Sequence, residues 1–163
     1  MAAPLPTEPV VIRAYADDDA RATLDVFLAA VTETAAADYS AEQIAAWSRP
    51  EQRTLSEWAT ARADADTFVA AVAGAVVGFS DVDADGYIDM MFVSPTHARR
   101  GVARALLAEV ERRAGEIGAR GLSTNASITA RPFFEAHGFE VVAEQHPVIS
   151  GVELTNFRMA RLL

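Results

Sequence analysis

The apolar residues of this chain change their spacing in blocks, and that change limits the fold more than any other feature. From Leu24 to Trp58 they recur at helical intervals, from Thr67 to Val93 they form short β-rich runs, and from Gly101 the helical interval returns. β runs joined only by tight turns pair antiparallel, so Thr67–Val72, Ala75–Val82 and Tyr87–Val93, punctuated by Gly74 and Gly86, read as an antiparallel meander. Ahead of them, Val10–Tyr15 reads as an opening strand, with Asp17, Asp18 and Asp19 as N-cap and negative first turn of a helix. Leu24, Phe27, Leu28 and Val31 make one face of that helix. A second helix starts after Ser40, carries Ile44 and Trp47 and ends at Pro50; Leu55 and Trp58 mark a third.

After Gly101, Val102, Leu106, Val110 and Ala114 stack on one helix face, Glu109 and Arg113 pair on the wet side, and Gly118 stops the helix. Leu122–Asn125 is a short strand. Thr129–His137 is a short helix with Pro132 in its first turn and Gly138 just past its end. Phe139–Glu144 and Val152–Leu162 close the chain as a strand pair, and the parity of apolar positions switches between Leu154 and Phe157, which predicts a bulge near Thr155 and Asn156. The order β-α-α-β-β-β-α-β-α-β-β is α+β, with a mixed, mostly antiparallel sheet flanked by helices. Its 163 residues are the size of one domain, 1–163, with residues 1–8 expected as a loose tail.

Composition removes several functions. The net charge of −9 argues against a nucleic-acid partner and is mildly friendly to cationic substrates. Without cysteine there is no disulfide, thiolate zinc site or cysteine nucleophile. The start MAAPLPTEPV lacks the pattern of a signal peptide, and no apolar run reaches the roughly 18 residues of a membrane span, so no membrane partner and a cytoplasmic location are expected. His97, His137 and His146 have no ligand spacing, so no metal is expected. Asp81, Asp83, Asp85 and Gly86 imitate the first half of a calcium loop, but the twelfth position is Phe92 in place of a bidentate glutamate, and a polar turn is the better account. With no lysine, a Walker phosphate loop is impossible.

One segment carries chemistry. In Met91–Leu107 a strand ends at Pro95, and a loop holding Arg99, Arg100 and Gly101 opens directly into an amphipathic helix. Small residues at Gly101 and Ala103 let an anion approach the backbone, free N–H groups and the helix dipole point at it, and the arginines add charge. The same segment resembles the acyl-CoA signature Q/R-x-x-G-x-G/A of the GNAT superfamily of N-acetyltransferases. Ala130–Phe139 resembles that superfamily's second signature, A-x-x-[L/F]-Y-E-x-x-G-F, at the usual distance. Two positions depart from the pattern. Ala98 stands where Gln or Arg is usual, leaving Arg99 or Arg100 to compensate, and Phe134 stands where the proton-donating tyrosine is usual.

The resemblance implies a V-shaped sheet split between the Tyr87–Val93 and Leu122–Asn125 strands, with acetyl-CoA as cosubstrate in the cleft. Pantetheine would pair with the backbone around Met91 and Val93, and a backbone N–H near Met91 or Phe92 would polarise the thioester carbonyl. The pyrophosphate would rest on the amides of Arg99, Arg100, Gly101, Val102, Ala103 and Arg104. Asn125, Phe133 and Phe134 complete the expected CoA contacts. The acceptor implied is an amine of a small molecule or peptide, which must lose a proton to attack.

Asp89, an acid in an otherwise apolar strand, is the candidate base, since burial there would raise its pKa. The alternative is that the strand splays and Asp89 faces water. Ser127 is expected at the mouth of the other arm, holding a water or the CoA, with backbone bonding near a helix start as its plainer role. Tyr87, two residues from Asp89 on the same strand face, is the fallback acid. Tyr39 and Trp47 are candidates for an acceptor pocket, with a core role favoured for Trp47. The function expected is N-acetyl transfer to a primary amine by direct attack. The alternative is an acyl-CoA-binding sensor of the same fold with weak or no catalysis, and a homodimer is left open.

Overall fold

The computed structural model describes residues 8–163; the tail expected over 1–8 lies, apart from Glu8, outside the described residues. Strand β1 (Val10–Ala14) leads through a tight turn at Asp17–Asp19 into α1 (Ala20–Ala29). The Asp19 carboxylate accepts from Ala16 N and pairs with Arg13, so it closes the turn and caps no helix N–H group. The helical path continues in a wider turn at Ala30–Thr34 and a tighter one at Ala35–Ala37. Helix α2 (Ala41–Ser48) opens with Ser40 Oγ accepting from Gln43 N while Gln43 Oε1 accepts from Ser40 N, a reciprocal cap. It stops where Arg49 turns left-handed ahead of Pro50, and α3 (Leu55–Asp64) follows.

Strands β2 (Phe68–Val72) and β3 (Ala75–Ser80) form the expected hairpin, but the third run of the meander is not one strand. It breaks at Asp89–Met90 into β4 (Tyr87–Ile88) and β5 (Met91–Val93), which belong to different sheets. One sheet runs β1-β2-β3-β5. The other holds β4, β6 (Gly121–Ser127), β10 (Asn156–Leu162) and β7 (Glu140–Gln145), with β4 parallel to β6 and the remaining pairs antiparallel. The closing strand is also shorter than its composition suggests. Val152–Glu153 (β9) folds back on Val148–Ile149 (β8) as a small hairpin, so the parity switch at Leu154–Phe157 is a break between β9 and β10. The bulge lies instead at Arg158/Met159, where register against β7 shifts.

Alternation along β2, together with a bulge in β3 where its register against Ala70/Ala71 shifts by one residue and reverses the parity between Val77 and Phe79, sorts the core. Phe68, Ala70 and Val77 face α4 (Val102–Glu116), whose Val102, Leu106, Leu107, Val110 and Ala114 are buried against them. Val69 and Phe79 face the other way, against Leu24, Phe27 and Trp58 of α1 and α3. Gly78 lets the first turn of α4 settle on the sheet, because a Cβ there would lie 3.0 Å from Val102 Cγ1 and 3.1 Å from the Phe92 carbonyl. Helix α5 (Arg131–Ala136) lies against β6 and brings Phe134 into the same core as α4.

Candidate active site

The break between β4 and β5 makes the site. Tyr87 and Ile88 pair with Ser123 and Thr124 of β6; two residues later the chain has left β6 and Met91–Val93 pair with Ser80–Gly78 of β3. Two buried side chains fix this parting. Thr124 Oγ1 donates to the Ile88 carbonyl (3.0 Å) at the last shared pair. Asp81, 3% exposed, accepts the N–H groups of Asp89 (2.8 Å) and Met90 (3.2 Å), which no strand carbonyl can reach at the break. Burial pushes the Asp81 carboxyl up, against the pull of these donors and of buried Arg62, 3.5 Å away. So the acid of the apparent calcium loop is an anchor for the strand break. Asp83, Asp85 and Gly86 form the polar turn, with Asp83 accepting from Asp85 N and Tyr87 N.

The register of β5 decides which of its amides face the opening. Ser94 N donates to the Val77 carbonyl and Asp81 N to the Met90 carbonyl, so hydrogen-bonded pairs fall at 77:94, 79:92 and 81:90. The N–H and C=O groups of Met91 and Val93 therefore point away from β3, along the free edge that looks across the parting to β6. Phe92 N–H is consumed in the ladder, which removes it as the donor to a thioester carbonyl; Met91 and Val93 remain.

At the far end of β5 the chain passes Pro95 and enters α4. Arg99 (φ 59°) and Gly101 (φ 83°) are both left-handed, and Gly101 faces open space, with nothing within 4 Å of an added Cβ. Among the described residues the N–H groups of 99–104 donate to no acceptor; the first helical bond is Ala105 N to the Gly101 carbonyl. A run of unpaired amides at a helix entrance, with exposed Arg99, Arg100 and Arg104 around it, is an anion cradle. Val102 offers only its amide, because its side chain is core. A groove of 680 Å³ opens here between His97, Arg99, Arg100 and the start of β1.

On the other side of β5 a cavity of 220 Å³ brings together Asp89, Asn125, Ser127, Tyr39, Trp47 and Phe92. Sequence reasoning named all six, four of them for the catalytic and CoA sites and two for the acceptor pocket, but their states differ from expectation. Asp89 is exposed, so the burial argument for its role fails and the splayed-strand alternative holds. Ser127 Oγ accepts from Ala130 N (3.0 Å), the plainer role at the entrance of α5. Asn125 Nδ2 donates to Tyr87 Oη (3.2 Å), and burial, followed by the Asp89 charge, pushes the Tyr87 phenol up. Tyr39 Oη donates to the Thr155 carbonyl (2.5 Å) and accepts from Ile128 N (3.0 Å), tying the helical segment to the end of β6 and the start of β10.

Phe134 is 4% exposed and packed edge-on against Phe133 and Phe139, and neither Phe133 nor Phe134 lines the 220 Å³ cavity. Phenylalanine at this position is a core residue. Arg53 and Phe27 also line the cavity and went unnoticed. Phe27 looked like ordinary helix face, and Arg53 sits in a short irregular stretch without a motif.

A sheet parted at a strand break, a free strand edge and an amide cradle where the next helix begins define the class: this chain belongs to the acetyltransferase (GNAT) family, whose model matches residues 35–161, and it is an N-acetyltransferase of that family. It is 39% identical over 150 residues, 92% of this chain and 94% of the relative, to the uncharacterised N-acetyltransferase YafP of Escherichia coli. Among solved structures, a GCN5-related N-acetyltransferase from Rhodopseudomonas palustris superposes with a TM-score of 0.91 at 30% identity, covering 99% of this chain and 100% of that one. The PaiA N-acetyltransferase of Thermoplasma acidophilum, solved in complex with coenzyme A, shares the fold with a TM-score of 0.75 at 18% identity, covering 95% and 99% of the two chains. Among the described residues no helix is long and apolar enough to cross a membrane.

Proposed function

We propose that this protein transfers the acetyl group of acetyl-CoA to a primary amine by direct attack, with no covalent acyl-enzyme. The carrying observation is the free edge of β5 leading into the unpaired amides of residues 99–104. An extended pantetheine arm adds to such an edge as a strand would, through the Met91 and Val93 backbone, and the cradle receives its diphosphate. Arg99 and Arg100 supply the charge that Ala98 does not. PaiA, which shares this fold, was solved in complex with coenzyme A, and that supports a CoA-type cosubstrate here.

The amine enters from the 220 Å³ cavity. Asp89 takes its ammonium proton, and the nitrogen lone pair forms the C–N bond as Met91 or Val93 N–H steadies the carbonyl oxygen. The C–S bond then breaks. The nitrogen gives up the second proton it carries after attack and the CoA thiolate takes one, so that the products are the amide, the CoA thiol and the single proton on Asp89. Phe134 cannot protonate the thiolate; Tyr87, its phenol pushed up by burial and held by Asn125, is the donor in this reading. Asp89 is exposed, and its contribution includes attracting the ammonium.

Thiol release from acetyl-CoA across an amine panel tests the reading. Asp89→Asn is expected to lower turnover at neutral pH and leave acetyl-CoA affinity nearly intact; an unchanged rate and pH profile removes Asp89 from the mechanism. The second reading, an acyl-CoA-binding protein with weak or no catalysis, draws on the burial of Phe134, and it requires acetyl-CoA binding with no thiol release for any amine.

A further inference from the structure

Of the arginines that are not fully exposed, Arg62, Arg113, Arg131 and Arg161 each reach a carboxylate, on Asp81, Glu109, Glu135 and Glu111 respectively. Arg53 is half-buried and reaches none among the described residues. Its Nε donates to the Ser48 carbonyl (2.7 Å) and Nη2 to the Trp47 carbonyl (3.1 Å) at the end of α2, and its guanidinium lies 4.5 Å above the Phe27 ring. One edge of the fork is thus pinned, while Nη1 makes no hydrogen bond and the side chain lines the 220 Å³ cavity. Burial depresses this guanidinium, and neighbouring Arg49 and Arg62 depress it further. A cation held rigid in a partly dry, positive surrounding, without a counter-ion, is complementary to an anion. The other charge in the lining is Asp89, and the rest includes Phe27, Trp47, Phe92 and Leu154.

We propose that the acceptor is an amine carrying a carboxylate on a compact apolar frame, the chemistry of a free amino acid with an apolar side chain, and that Arg53 receives the carboxylate while Asp89 receives the ammonium. This rests on the acetyltransferase reading and narrows its acceptor. A volume of 220 Å³, below the roughly 300–1,000 Å³ of drug-sized sites, suits a single amino acid. A peptide N-terminus is disfavoured, because its α-carboxyl is a neutral amide. Arg53 is a specificity residue, and a purely structural role at the end of α2 would treat acids and amides alike.

The test compares L-leucine, L-phenylalanine and L-methionine with their carboxamides in the thiol-release assay. The amides have the more acidic ammonium groups and so the readier free amine; intrinsic reactivity opposes the expected result. Wild type is expected to favour each acid in kcat/KM, and Arg53→Met to lower the acid-to-amide ratio about 10- to 100-fold, the worth of a charge-assisted hydrogen bond, chiefly through KM. Arg53→Lys should restore part of the ratio. Equal use of acids and amides by wild type, or the same ratio in Arg53→Met, overturns the proposal, as does turnover of carboxylate-free amines alone, which leaves the acetyltransferase reading standing. Melting curves with CoA present give a separate readout. Stabilisation by the acids that is lost in Arg53→Met, with no thiol release, keeps the anion site and sinks the transferase reading; no stabilisation together with no turnover of the acids overturns the site.

Discussion

Removing the carboxylate of Asp81 tests the argument that a buried side chain holds the two sheets apart. Asp81→Ala leaves the Asp89 and Met90 N–H groups and the Arg62 guanidinium without their acceptor, in a region where Asp81 is 3% and Arg62 4% exposed. Breaking a buried ion pair from one side costs about 3–5 kcal/mol. At about 2–4 °C per kcal/mol for a chain of this size, the melting temperature should fall by about 6–20 °C. Asp81→Asn keeps an oxygen for the two amides and loses only the charge, so its fall should be smaller, about 1–3 kcal/mol. Asp81→Ala combined with Arg62→Met should recover part of the loss, since the stranded cation is gone. Calorimetry or circular-dichroism melting of the three variants decides the matter. A fall under about 2 °C for Asp81→Ala, or a double variant no better than the single one, would refute the claim that this pair supports the break. In the variants that stay folded, turnover should fall more than acetyl-CoA binding, because Asp89 is displaced while the cradle at 99–104 is untouched.

Phe134→Tyr places a hydroxyl in a fully packed ring cluster and should cost about 1–3 kcal/mol in a melting curve without raising turnover; a gain in rate would show that the ring faces the CoA sulfur after all. Gly101→Val should weaken acetyl-CoA binding, read as the loss of a thermal shift, far more than Arg104→Ala, since the left-handed backbone of the cradle (φ 83°) is strained by a β-branched residue while Arg104 is an exposed, screened charge. Hydrogen bonds from Arg112 and Arg113 hold Glu109 down from 4.5 to about 2. A lowered carboxylate stabilises the fold above its unfolded value, and that support is lost as pH falls through its folded value. Unfolding midpoints measured from pH 5 to 2 should therefore fall less steeply in Glu109→Gln than in wild type, and identical slopes would dismiss the pair.

Local patterns carried much of this protein. The blockwise change of hydrophobic spacing was enough for α+β, because period follows from backbone geometry whatever the partner. The Gly101-x-Ala103 entrance was legible because an anion cradle is built from consecutive residues, and the reciprocal cap at Ser40 and Gln43 is equally local. Long-range geometry was not legible. Tyr87–Val93 reads as one strand because every residue in it except Asp89 is apolar or aromatic. Only the competition between β3 and β6 for its two ends, settled by Asp81 and Thr124 from elsewhere in the chain, breaks it and opens the site. The same break turns Asp89 out to solvent, which is why an inference of burial from neighbouring residue types failed. Phe134 has the same sequence neighbours whether its ring meets a cofactor or a core; packing against Phe133 and Phe139 decides. Arg53 carries no signal at all in one dimension, because being unpaired is a property of every other chain segment around it, and only the folded structure assembles those.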